Sequence, residues 1–177
     1  MTLKISNFSL ENVNIAWNNL VHLDLECTSL DEVLRVIRDA PLLEICTLCD
    51  IFAAAADGFP TPGTTIRNPR VRTLEVSSME PEVLTELINS LELPSLRSWE
   101  LSSDAEDEMP VDTMISFLKR SACGLKTLRL WYDMEDQDDV AVPAIEDFER
   151  FPQPLPHLQQ YQFHILNVPD RSVFILR

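Results

Sequence analysis

The chain has 177 residues, 29 of them acidic against 14 basic, for a net charge of −15. Such a field disfavours non-specific contact with nucleic acid or an anionic membrane and favours a basic partner. Apolar content of 45% with mean hydropathy near zero argues against disorder, and no window approaches the roughly 18 uninterrupted apolar residues of a membrane span.

The first ten residues, Met1 to Leu10, lack the apolar core of a secretory signal. Cys27, Cys46, Cys49 and Cys123 are therefore expected as reduced thiols in the cytosol or nucleus, not in a secreted protein. Leu3 to Ile5 read as the tail of a strand. From there six runs place apolar residues at positions 1, 4 and 6: Leu20, Leu23, Leu25; Leu43, Cys46, Leu48; Val71, Leu74, Val76; Leu96, Trp99, Leu101; Leu125, Leu128, Leu130; and Leu158, Tyr161, Phe163. Their starts are 23, 28, 25, 29 and 33 residues apart, the period of a leucine-rich repeat.

The connections fit the same reading. After the first run Thr28 or Ser29 can cap a helix over Leu30 to Asp39, with Leu30, Val33, Leu34 and Ile37 on one face and Pro41 stopping it. After the third, Pro81 suits a first helical turn, and Val83, Leu84, Leu87, Ile88 and Leu91 form a stripe ended by Pro94. After the fourth, Pro110 opens a helix through Val111, Met114, Phe117 and Leu118 that Arg120 and Gly124 close. After the fifth, Pro143 precedes Ile145 and Phe148.

The expected fold class is thus α/β. It is a leucine-rich-repeat solenoid of about six repeats, a right-handed βα horseshoe with a parallel concave sheet and convex helices, over a single domain 1–177. An irregular insertion is expected at 52–69 and an acidic loop at 133–139. Neither end carries a polar capping repeat, so the domain reads as truncated at both ends and is expected to associate partly in isolation.

The register sorts the candidate chemistry. Cys46 and Cys49 form C-x-x-C, but Cys46 takes the place of Leu23 and Leu74 and belongs in the core, while Cys49 faces the opposite side. No second cysteine pair or histidine pair completes a metal set. His22, His157 and His164 are spread over different repeats, and three glycines cannot supply a phosphate cradle. No catalytic constellation, cofactor or metal is expected, and the chain is not read as an enzyme.

What remains is the concave face, where Asp24, Thr47, Glu75, Glu100, Arg129, Trp131 and Gln162 are the candidate partner-binding residues. Arg129 beside Trp131 is a pairing enriched at interface hot spots. Acidic loops at 104–108 and 133–139 follow successive strands and would form one negative rim, suited to a basic protein partner. Neither nucleic acid nor membrane is expected as a partner.

Ser9 to Trp17 with Leu20 to Thr28, Arg38 to Glu44 with Cys46 to Leu48, Leu93 to Leu96, and Phe117 to Cys123 before Leu125 to Leu128 carry a recognisable pattern. Together they resemble the leucine-rich-repeat region of F-box proteins of mushroom-forming fungi. The resemblance spans roughly residues 3 to 165 and rests on packing motifs. In that family an F-box binds the Skp1-type adaptor of a ubiquitin ligase and the repeats recruit a substrate. No F-box is recognisable in this chain. The resemblance therefore implies the substrate-recognition part of a ubiquitin-ligase adaptor lacking its F-box, with a Skp1-type adaptor bound only if an F-box lies upstream. The alternative is a stand-alone leucine-rich-repeat scaffold or regulator with no ubiquitin role.

Overall fold

The computed structural model describes residues 1–7, 10, 15–53, 65–77, 79–104, 110–133, 157–166 and 173–176. Alternating apolar and polar residues give strands β1 (Thr2–Ser6), β2 (His22–Glu26), β3 (Ile45–Cys49), β4 (Ile66–Arg67), β5 (Thr73–Ser77), β6 (Leu91–Glu92), β7 (Ser98–Asp104), β8 (Thr127–Asp133), β9 (Gln160–Leu166) and β10 (Val173–Leu176). Helical periodicity gives α1 (Leu30–Asp39), α2 (Pro81–Asn89) and α3 (Val111–Ser121). The main sheet runs β1-β2-β3-β5-β7-β8-β9-β10. Its first seven strands are parallel, and β10 pairs antiparallel with β9. The short strands β4 and β6 pair with each other in a second sheet, against α1 and α3.

The six-repeat horseshoe expected from the sequence is not what the chain builds. Among the described residues an α-helix follows only β2, β5 and β7. One 3-10 turn, Trp17–Asn19, precedes β2, and β4 lies between β3 and β5. The antiparallel β10 ends the parallel order. The described residues form a compact α/β domain whose main sheet holds seven parallel strands and the antiparallel β10, with three α-helices, not an alternating solenoid. The physical reason is that the 1-4-6 pattern dictates what a strand buries and says nothing about the element that follows it.

Smaller expectations are corrected too. Leu91, expected on the α2 stripe, instead begins β6. Gly124 does not close α3, because Ala122 takes the left-handed conformation at φ 48° and its N–H donates to the carbonyls of Leu118 and Lys119. Gly124 serves a close approach: a Cβ there would lie 2.5 Å from Nη1 of Arg97, which donates to the Gly124 carbonyl at 3.0 Å. Of the insertion expected at 52–69, residues 54–64 lie outside the described residues, while Phe52 bridges Ser29. Residues 105–108 and 134–139 of the two acidic loops, and the helix expected after Pro143, also lie outside them.

The core lies between the sheet and the helices. Leu23, Leu25, Cys46, Leu48, Leu74, Trp99, Leu128 and Leu130 are buried from the strands, and Leu30, Val33, Leu34, Leu87, Ile88, Met114 and Phe117 from the helices. Each fully buried leucine contributes about 1.5–3 kcal/mol over leaving it in water. Proline opens α2 at its first turn, where the missing N–H costs nothing. Helix ends are held by polar side chains from later in the chain. Asn68 donates to the carbonyls of Ile37 and Ala40 at the end of α1. Arg120 donates to the carbonyl of Ile88 in the last turn of α2 and to that of Leu91, where β6 begins. At the start of α1 the buried Glu32 accepts the Leu10 N–H at 2.7 Å.

Cys46 sits where the register placed it, fully buried, and burial pushes its thiol up to about 12. At pH 8 the thiolate is then only about one part in ten thousand. Native protein is expected to leave Cys46 unmodified by iodoacetamide while the half-buried Cys49 reacts, with Cys46 labelled only in denaturant. Peptide mass mapping checks this, and prompt labelling of native Cys46 would contradict its burial. Because its pKa is raised on folding, the stabilisation is present below the ordinary thiol value and is lost as pH rises towards 12.

Candidate functional site on the open sheet face

Helices cover one face of the main sheet. On the other, strand alternation sets polar side chains in rows that run across the strands. The register aligns Lys4, Asp24, Thr47, Glu75, Glu100, Arg129 and Gln162 as successive Cα partners. Six of the seven candidate residues from the sequence thus share one row. The seventh, Trp131, is two residues beyond Arg129 on β8, level with Ser102 of β7 and His164 of β9. All seven are partly exposed.

The row is tied together in two groups. At the β1 edge Lys4 Nζ donates to Asp24 at 2.7 Å, an exposed pair of small energetic weight, and Thr47 donates to Glu75 at 3.2 Å. At the other end the contacts form a network over three strands. Arg129 Nε donates to Gln162 Oε1 at 3.0 Å and Nη1 to Glu100 Oε2 at 3.3 Å. Trp131 Nε1 donates to the second oxygen of Glu100 at 2.9 Å. The Trp131 indole stacks on the His164 imidazole with centroids 3.9 Å apart and planes 12° apart.

This network was only partly legible in the sequence. The register puts Arg129 and Trp131 on this face, but His164, in a different repeat from His22 and His157, gives no signal as part of a histidine pair. Its partner is Trp131, one strand away, which the same register could have identified. Burial and the Arg129 guanidinium hold the His164 imidazole below its ordinary range, with Glu100 opposing. Near neutral pH the ring is therefore neutral, and it stacks on the indole without a charge to desolvate.

Between the two groups Glu75 and Glu100 are register partners on β5 and β7. Like charges placed directly opposite on neighbouring strands are unfavourable, and among the described residues only Glu100 of the two has a cation within ion-pair distance, Arg129. Along the Trp131 row Glu26 accepts from Ser6 at 2.8 Å. Over these rows four carboxylates (Asp24, Glu26, Glu75, Glu100) stand against two cations (Lys4, Arg129), so the face is net acidic.

The C-x-x-C cysteines do not converge, since Cys46 is in the core and Cys49 lies on the open face. A grouping not anticipated from the sequence lies where β2 and β3 end. There ligand atoms of Glu26, Cys27 and Asp50 fall within 4.8 Å of one another. Cys27 and Asp50 both take left-handed backbone, at φ 54° and 51°, which turns the two strand ends alike. Burial, followed by the nearby carboxylates, raises the Cys27 thiol, so it is not an activated nucleophile.

No family model matches the chain, and no curated protein or solved structure matches it. The resemblance to the F-box leucine-rich-repeat region is therefore not supported, and the ubiquitin-ligase adaptor role inferred from it falls with it. The alternative of a leucine-rich-repeat scaffold falls as well, since the described residues lack the regular strand-helix alternation on which it depended.

Proposed function

We propose that the open sheet face is a docking surface for a basic protein partner, and that the role of this domain is binding rather than catalysis. One observation carries the reading: the partly exposed polar and aromatic side chains of Glu100, Arg129, Trp131 and Gln162 are held in one orientation by contacts across three strands. Side chains immobilised before binding lose little entropy when a partner arrives, which is how a small patch gains affinity. Trp and Arg are also the residue types that most often dominate interface energies. The excess of carboxylates on the same rows supports a basic partner and disfavours nucleic acid or anionic membrane. Four free thiols support a reducing compartment, cytosolic or nuclear.

Selection of a random peptide display library on the purified protein tests this reading. The selected peptides are expected to bind the Arg129→Ala, Trp131→Ala double variant at least about tenfold more weakly. Its melting temperature is expected to stay within about 2–4 °C of the parent, because both residues lie outside the core. Selected peptides that bind the double variant unchanged would place the docking surface elsewhere.

A further inference from the structure

The geometry points to a slot on this face for a single cationic side chain, lysine or arginine, seated against the Trp131 indole and over Glu75. The inference rests on the docking reading above and specifies its chemistry. His164 comes from the strand beyond Trp131, and their planes are nearly parallel at a centroid distance of 3.9 Å. The indole normal therefore points along the row, from β9 back towards β7 and β5. On that side the register partner of Trp131 is Ser102, and Ser77 ends β5 beyond it. Two small hydroxyl side chains leave a shelf beside the indole where larger side chains would fill it.

The shelf is flanked by carboxylates. Glu100 is fixed beside the indole by the Trp131 N–H and leans to Arg129, whereas Glu75, its partner one strand on, takes a hydroxyl hydrogen bond from Thr47 and has no cation within ion-pair distance among the described residues. A partner cation placed between Glu75 and the indole would relieve the Glu75–Glu100 repulsion and meet the π-face of the tryptophan. Glu75 on β5 and Trp131 on β8 are separated by β7, two strand spacings or roughly 10 Å, so one ammonium or guanidinium set over β7 between them reaches both walls. An anionic or purely apolar side chain gains neither contact. The occupant is thus a basic segment of a protein partner, presenting lysine or arginine to this shelf.

The probes are a decapeptide of alternating lysine and serine, and analogues with norleucine or glutamate for lysine. Binding is followed by the NMR signal of the Trp131 indole N–H, identified by its loss in Trp131→Phe. The lysine peptide is expected to shift that signal and to weaken with salt. The norleucine and glutamate analogues are expected to bind at least about tenfold more weakly. Glu75→Gln should weaken the lysine peptide several-fold while the folded spectrum is retained. Equal binding of the norleucine analogue, no effect of Glu75→Gln, or no shift with the lysine peptide would each overturn the cation slot. Those outcomes would leave the docking reading to the library selection, whose peptides would then depend on Trp131 without carrying enriched lysine or arginine. If instead the selected peptides ignore Trp131, docking on this face fails as a whole.

Discussion

Trp99→Ala is expected to destabilise the domain by about 3–5 kcal/mol. Trp99 occupies position 4 of its run, where four of the other five runs carry a leucine or a cysteine, and it is fully buried from β7. Its ring meets Phe117 of α3 edge to face, centroids 5.2 Å apart and planes at 74°. Truncation to alanine removes that aromatic pair and opens a cavity between β7 and α3, in a sheet whose strands on both sides are fixed by pairing. Trp99→Phe should cost well under half as much, because most of the apolar volume stays. Urea denaturation of the two variants checks the ranking. Comparable losses for Phe and Ala would mean that the indole N–H, and not ring packing, is what the core needs.

The second large effect is expected at a polar residue. Asn68 is buried, and its amide donates to two carbonyls at the end of α1 while its oxygen accepts the Arg70 N–H at 3.1 Å. A helix end exposes carbonyls with no partner within the helix, and leaving such groups buried and unmet costs about 1–3 kcal/mol each. Asn68→Ala is therefore expected to lose about 2–4 kcal/mol. Asn68→Asp discriminates the cause, since it keeps the shape but turns a donor into an anion aimed at two carbonyl oxygens. It should be at least as damaging as alanine at pH 7, in the same denaturation measurement. A well-tolerated aspartate would show that Asn68 acts by filling space.

These two residues mark how far the sequence could be read. The 1-4-6 runs located the strands and their buried faces, because period-2 alternation is local and each strand must hide one side. Trp99 and Cys46 were placed in the core by that logic. The connections were less legible. A proline at Pro81 or Pro110 signals a helix start, but nothing local says that β4 will pair with β6 in a second sheet, or that β10 will run antiparallel. Those outcomes depend on which distant segments pair. Asn68 shows the same limit, since its partners Ile37 and Ala40 lie about thirty residues earlier and its isolated context reads as loop.

The family resemblance failed for a related reason. It rested on leucines and cysteines at strand-burial positions, and any chain that buries alternate residues of parallel strands against helices needs apolar side chains there. Such motifs report a packing requirement and carry little evidence of descent. The open face was better served. Its row follows from register alone, so Asp24, Thr47, Glu75, Glu100, Arg129 and Gln162 could be named together. Which of them bind one another, as Glu100 does with Arg129 and Trp131, depends on side-chain reach between strands and had to be seen.

Partners are proposed to meet the open face of the sheet and not the helical side. Mapping backbone amide shifts while titrating the tightest library-selected peptide tests it most directly. The changes are expected to concentrate on β5, β7, β8 and β9, strongest around Glu75, Glu100, Arg129, Trp131 and Gln162. Changes centred on α1, α2 or α3, with those strands unmoved, would contradict it.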